Sequence, residues 1–138
     1  MKKLAWIGIV FSIILLLSSC SAAGGYYSSG KKCFLSRNYD EAAKNFSLAI
    51  EENPNCADYY LGYGMALIGL EQYDKAIEQF DRVIMDKKIV MVQKNNKKAL
   101  RGKGIAYLSM EDYDEAINQF DKALEINVLS DLDMDILY

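Results

Sequence analysis

Histidine is absent from the 138 residues. That removes the commonest general base and the commonest transition-metal ligand. It also excludes any Ser-His or Cys-His nucleophile. Cysteine occurs three times, without the spacing of a zinc site and too rarely for a disulfide scaffold. Proline occurs once and glycine nine times, which excludes collagen-like and Pro-rich chains. An excess of positive charge is also missing. The 16 Lys+Arg against 19 Asp+Glu give a net charge of -3, whereas a nucleic-acid binder needs clustered cations to neutralise phosphates. No phosphate-binding G-x-x-x-x-G-K-S/T run is present. The acidic pairs Glu51-Glu52, Glu111-Asp112 and Asp114-Glu115 fall at the ends and starts of expected helices, where solvent and the helix dipole account for them. Asp131, Asp133 and Asp135 alternate like calcium ligands, but the Gly and Glu of a calcium loop do not follow. No catalytic residue, metal site or cofactor is expected, and the length fits one domain.

The N-terminus reads as an address. Met1-Lys2-Lys3 is basic, and Leu4 to Leu17 is an uncharged run, LAWIGIVFSIILLL. It is shorter than the roughly 20 residues that span a bilayer. Leu17-Ser18-Ser19-Cys20 then resembles the lipobox of bacterial lipoproteins: a branched apolar residue, two small ones and a cysteine. The resemblance implies a signal peptide over 1–19, a diacylglyceryl group on Cys20 and a lipidated linker over 20–22. Residues Leu4 to Ala23 are uncharged throughout, so an uncleaved membrane anchor is the alternative, and a secretory signal cut elsewhere is another. Loss of Lys2 and Lys3 takes the 16 basic side chains to 14 against 19 acidic, a net charge of -5. Acyl chains, at about 0.8 kcal/mol per buried methylene, would then hold the protein to an anionic surface that its charge does not favour. The expected location is the cell membrane or outer membrane, on the extracytoplasmic side.

The remainder repeats itself. Tyr39-Asp40-Glu41-Ala42-Ala43-Lys44-Asn45-Phe46 returns as Tyr73-Asp74-Lys75-Ala76-Ile77-Glu78-Gln79-Phe80, and again as Tyr113-Asp114-Glu115-Ala116-Ile117-Asn118-Gln119-Phe120. The first spacing is 34 residues and the second is 40. Upstream of each copy is a second segment with a glycine at one shared position: Gly30, Gly64 and Gly104. A mid-helix glycine costs roughly 1 kcal/mol against alanine, so three in phase imply close helix approach. Ala42, Ala76 and Ala116 are the small partners, and Phe46, Phe80 and Phe120 lie one turn further on the same face. Gly62 and Gly102 read as further packing glycines. Tyr73, Ile77, Phe80 and Ile84 form a helical stripe with charged residues opposite. Pro54 ends the first copy.

A 34-residue helical period with Gly, Ala and Phe at these places resembles the tetratricopeptide repeat (TPR) family. The resemblance implies an all-α, short right-handed solenoid of about three helix-turn-helix repeats. These fall at about 23–56, 57–90 and 97–130 of a domain over 23–130, with an insert at 91–96. Ser130-Asp131-Leu132 reads as the start of a further helix, a capping stub over 131–138. The apolar run Ile89 to Val92 is either buried by longer neighbouring helices or an exposed edge. Cys33 and Cys56 read as free packing residues, about ten helical residues apart in register.

By the same resemblance a concave groove lies along the first helix of each pair, and its ligand is a protein or peptide. Groove positions are Tyr27, Lys31 and Phe34, then Asp58, Leu61, Met65 and Ile68, then Lys98, Arg101, Ile105 and Leu108. Ile68 and Leu108 are also read as core. The Lys and Asn set that clamps a peptide C-terminus in part of the family is absent. An apolar groove with a basic end is expected, suited to a helix or an extended apolar peptide. Lys94, Lys97, Lys98, Arg101 and Lys103 supply the basic character. The reading is a scaffold or assembly factor with an envelope-associated protein partner, no nucleic acid, and a homodimer through the thinly covered last repeat. The alternative class is a small-molecule receptor or enzyme on a helical repeat.

Overall fold

The computed structural model describes the backbone of residues 22–86 and 93–136 and the side chains of 22–86 and 95–126. Residues 1–19, Cys20 and the run Ile89 to Val92 lie outside the described residues. Among the described residues there are helices and no strand. We number them α1 (22–35), α2 (Tyr39–Glu52), α3 (Ala57–Gly69), α4 (Tyr73–Met85), α5 (Gln93–Ser109) and α6 (Tyr113–Ile136). They pair as three hairpins, α1/α2, α3/α4 and α5/α6, stacked into a solenoid as expected.

Each hairpin turn is built the same way. Arg37, Glu71 and Glu111 adopt the left-handed conformation, with φ of 60°, 59° and 64°. In the first turn the Arg37 N–H donates to the Phe34 carbonyl and the Asn38 N–H to that of Cys33, at 2.9 Å each. The pattern recurs at Glu71/Gln72 and at Glu111/Asp112. This double bond closes the orphan carbonyls of a helix end. The next residue then opens the following helix. Asn38 Oδ1 accepts from the Glu41 N–H at 3.4 Å and Asp112 Oδ1 from the Glu115 N–H at 3.2 Å, each satisfying one free donor. Gln72 makes no such cap. Between the first two hairpins Pro54 stops α2, and the Tyr60 hydroxyl donates to the Pro54 carbonyl at 2.9 Å, tying the loop to α3.

Packing runs on phenylalanine wedges. Phe46 and Phe80 are among the largest wholly buried side chains. A methyl group at Gly30 or Gly62 would come within 2.8 or 2.7 Å of the Phe46 ring, and at Gly64 or Gly102 within 2.6 or 2.5 Å of the Phe80 ring. Each ring therefore fills a notch in its own hairpin and a notch in the next. This explains why the glycines come as pairs two apart in α3 and α5. Phe120 meets a notch at Gly104. Ala42, Ala49, Ala66, Ala76, Ala99 and Ala106, all at 0% exposure, line the seams. Between α4 and α5, Lys103 Nζ lies 2.7 Å from Asp81 Oδ1.

Two boundaries differ from expectation. The helix α5 begins at Gln93, so residues 93–96 of the 91–96 insert extend it. The stub over 131–138 does not start afresh at Ser130, because α6 runs unbroken from Tyr113 to Ile136. The cause is the missing stop. Where the first hairpin has Pro54, the third has Val128, and nothing nearby breaks a helix.

Candidate binding groove

Helices α1, α3 and α5 form the inner layer, and α3 packs against α5 directly. Between them lies a groove of about 310 Å³. The sequence places one or two side chains of each inner helix there, because positions four residues apart share a face. Tyr27 comes from α1, Asp58, Leu61 and Met65 from α3, and Lys98, Arg101 and Ile105 from α5. Gly62, Gly102 and the Phe80 ring also line it. From the sequence those three read as packing residues alone. The paired glycines were the signal that could have found them, because a helix without side chains there leaves the hollow open.

Tyr27 forms one wall. Its ring sits 5.1 Å from that of Tyr59 and 5.8 Å from that of Phe46. Lys31 Nζ stands 4.6 Å above it, a cation–π contact of about 0.5–1 kcal/mol at such a surface. Burial pushes the Tyr27 phenol above its ordinary pKa, and the Asp58 carboxylate adds to the shift. The hydroxyl therefore stays protonated at neutral pH and able to donate. Lys31 does not face the main groove. It lines an adjoining hollow of about 190 Å³ with Phe34, Leu35 and Phe46, on the other side of Tyr27.

The charges sort differently from the expected basic end. Lys98 Nζ lies 3.6 Å from Asp58 Oδ1, with both side chains about half exposed. Such a pair contributes at most about 1 kcal/mol, but it links α5 to α3 at the groove rim and offsets the Lys98 charge. Lys103 is engaged by Asp81 on the far side of α5. The Lys94 side chain lies outside the described residues. Arg101, exposed at the rim, has no ion-pair partner among the described residues. The groove is thus an apolar trough with one uncommitted guanidinium.

Leu61 needs a correction. It lines the groove, but at 8% exposure it belongs to the central core with Tyr60, Leu67, Phe80 and Val83. It is not available to a ligand at low structural cost, because its position turns partly inward beneath the α3–α5 contact. Met65 and Ile68 are half-buried against that same core. Leu108, half exposed, does not line the groove. Cys33 and Cys56 are free thiols. Among the described residues no group of three ligand-type side chains could hold a metal ion, and no helix is long and apolar enough to cross a membrane.

Residues 36–88 and 98–127 match models described as tetratricopeptide repeat, together more than half of the chain. The fold is similar to the Arabidopsis OM64 TPR domain, with a TM-score of 0.68, 24% identity, and coverage of 78% of this chain and 84% of that one. It is similar to MamA, with a TM-score of 0.66 and 28% identity, over 80% of this chain but only 61% of MamA. A third similar structure is the second TPR of Spaghetti (RPAP3) bound to the HSP90 peptide SRMEEVD, with a TM-score of 0.66, 18% identity, and coverage of 79% and 95%. No curated protein matches the chain.

Proposed function

Because this chain belongs to the tetratricopeptide repeat family, we propose that it is a protein-binding module, held at a bacterial cell envelope by lipid on Cys20. Its ligand is an apolar helix or extended peptide carrying a carboxylate. The observation that carries the ligand class is Arg101, an uncommitted guanidinium beside the apolar walls of Met65 and Ile105. A carboxylate that meets it gains a charge-assisted hydrogen bond, worth about 1.5–3 kcal/mol. The second TPR of Spaghetti (RPAP3), similar in fold, is bound to the peptide SRMEEVD, which carries acidic residues, and this supports an acidic peptide as the ligand. The absence of histidine supports binding rather than catalysis.

The anchor rests on Leu17-Ser18-Ser19-Cys20. Helix α1 is already under way at Ala22, so a lipid on Cys20 would hold the start of α1 within about 7 Å of the bilayer surface. An envelope-associated partner fits that placement better than a freely diffusing one.

Two experiments test the reading. Crosslinking in intact cells followed by mass spectrometry identifies the partner; Met65→Lys with Arg101→Glu should abolish its capture in a chain that stays helical, and Arg101→Glu alone should weaken capture with melting unchanged. A folded double variant that still captures the same protein places the binding surface elsewhere. Cys20→Ala should release the protein from membranes or leave a longer precursor. Unchanged fractionation and mobility would remove the lipid anchor.

A further inference from the structure

From the outer face of α6 and the outer face of α1 we infer that the chain stacks head to tail, α6 of one copy against α1 of the next, continuing the solenoid across the molecular boundary. The inference is independent of the groove and its ligand.

The interior junctions supply the template. Along α2, α4 and α6 the same four places form a stripe: Tyr39, Ala43, Phe46 and Ile50; Tyr73, Ile77, Phe80 and Ile84; Tyr113, Ile117, Phe120 and Leu124. The first two stripes are covered by the opening helix of the next hairpin. The third is not. Tyr113 is 57% exposed, and Ile117 and Leu124 are 59% exposed each. An apolar face of this kind marks a contact surface.

What covers the interior stripes is a helix with low relief where the phenylalanine enters, Gly62 in α3 and Gly102 in α5. The corresponding residue of α1 is Ser28, exposed, with Gly25 one turn before it, where an added methyl group would meet nothing within 4 Å. Helices across a junction run in opposite senses: Gly69 near the end of α3 faces Tyr39 at the start of α2, while Ile50 late in α2 packs against the cluster that holds Ala57, early in α3. The counterpart of Gly69 in α1 is Leu35, a large apolar side chain 82% exposed. Stacking would set Leu35 of one copy opposite Tyr113 of the other, two otherwise uncovered apolar groups.

Charge points to the same pairing. Residues 22–37 carry Lys31, Lys32 and Arg37 and no acid, whereas residues 111–126 carry six acids against Lys122 alone. The opposed sense brings the basic end of α1 against the acidic start of α6. Two α6 stripes packed on each other would instead bring like charges together. The interior junction already joins Lys103 to Asp81 in this way. Lys32 stands where Ala66 and Ala106 stand in the interior seams. Its stem can lie along Ile117 with the ammonium reaching Asp114 and Glu115. A contact of this kind is heterologous and leaves both ends open, so it builds rows rather than closed dimers.

Cysteine crosslinking of the full chain tests this, in a background with Cys20→Ala, Cys33→Ala and Cys56→Ala. Leu35→Cys in one copy and Tyr113→Cys in another, co-expressed, should crosslink, as should Gly25→Cys with Leu124→Cys. Neither variant alone should do so, nor should the mismatched pair Leu35→Cys with Leu124→Cys. Lys31→Glu with Lys32→Glu should lower the yield at least tenfold, and Asp114→Lys with Glu115→Lys in the other copy should restore it. Crosslinks formed by Tyr113→Cys or Leu124→Cys alone indicate a two-fold contact and overturn the stacking. So does the absence of crosslinks in helical, folded protein, or a charge reversal that fails to restore them. Apart from Cys33 and Glu115, which are half-buried, the changed positions of α1 and α6 are exposed, and the two independent pairs guard against one cysteine disturbing the fold.

Discussion

The middle and last hairpins carry nearly the same sequence motif and end in different physical states. Phe80 sits at 0% exposure between Gly64 and Gly102. Phe120, at the same place one repeat later, fills the notch at Gly104 but stays partly exposed. Ile77 is half-buried where Ile117 is exposed. The motif therefore specifies half of an interface. Burial, and with it most of the stabilisation, depends on whether the next helix is there to supply the other half. That is the expected behaviour of an array in which each unit contacts only its neighbours.

The comparison is tested most severely at the wedges. Phe80→Ala should lose about 3–5 kcal/mol, a large share of the stability of a chain this size. Phe120→Ala should lose less than half of that. Urea unfolding followed by circular dichroism, at concentrations where the chain is monomeric, measures both, and equal losses would contradict the one-sided last wedge. Next come the glycines. Gly102→Ala places a methyl group 2.5 Å from the Phe80 ring and should cost about 1–3 kcal/mol through overpacking. Gly25→Ala, with open space around it, should gain up to about 1 kcal/mol in helix propensity. The same unfolding measurement should show opposite signs.

Tyr60→Phe removes the hydroxyl bond to Pro54 and should cost about 1 kcal/mol. Burial raises the Tyr60 pKa above its ordinary value of 10.0. The unfolded phenol therefore ionises first, so the protonated Tyr60 contributes stability below about pH 10 that is lost as pH rises past it. Melting temperature should fall less steeply above pH 10 in the variant than in the parent. The smallest effect belongs to Ile117→Ser, expected within about 0.5 kcal/mol because the side chain is already in water. Ile77→Ser, under the cover of α5, should lose about 1–3 kcal/mol.

Much of this was legible beforehand, for identifiable reasons. Three copies of the Tyr-Asp to Phe run in phase set the hairpins, and Gly30, Gly64 and Gly104 marked the close approaches because a glycine inside a helix is costly without such a use. Seven of the eleven groove positions gather around one hollow, because positions four apart on the inner helices share a face, whereas Lys31, Phe34, Ile68 and Leu108 do not line it. The double role of Leu61 was hidden, since how far a half-turned side chain sinks depends on the tilt of α5 over α3. The unbroken course of α6 was obscured by Ser130-Asp131, which can cap a helix but has no need to when no breaker precedes it. The left-handed turn residues were also invisible, because Arg37, Glu71 and Glu111 stand where glycine would have been the signal.

Those turns also decide where the chain can change length. In each hairpin the residue that locks the end of the first helix is the one that begins the second: Asn38, Gln72 and Asp112. One added residue there would undo both attachments at once, and the left-handed position of that turn would have to be rebuilt. The passage from α2 to α3 carries no such shared residue, and the six extra residues of this chain fall at the corresponding junction, partly between α4 and α5 and partly in the first turn of α5. A fluorescent tag, a protease site or a grafted recognition sequence should therefore be accepted between α4 and α5 and rejected at residues 36–38, 70–72 and 110–112.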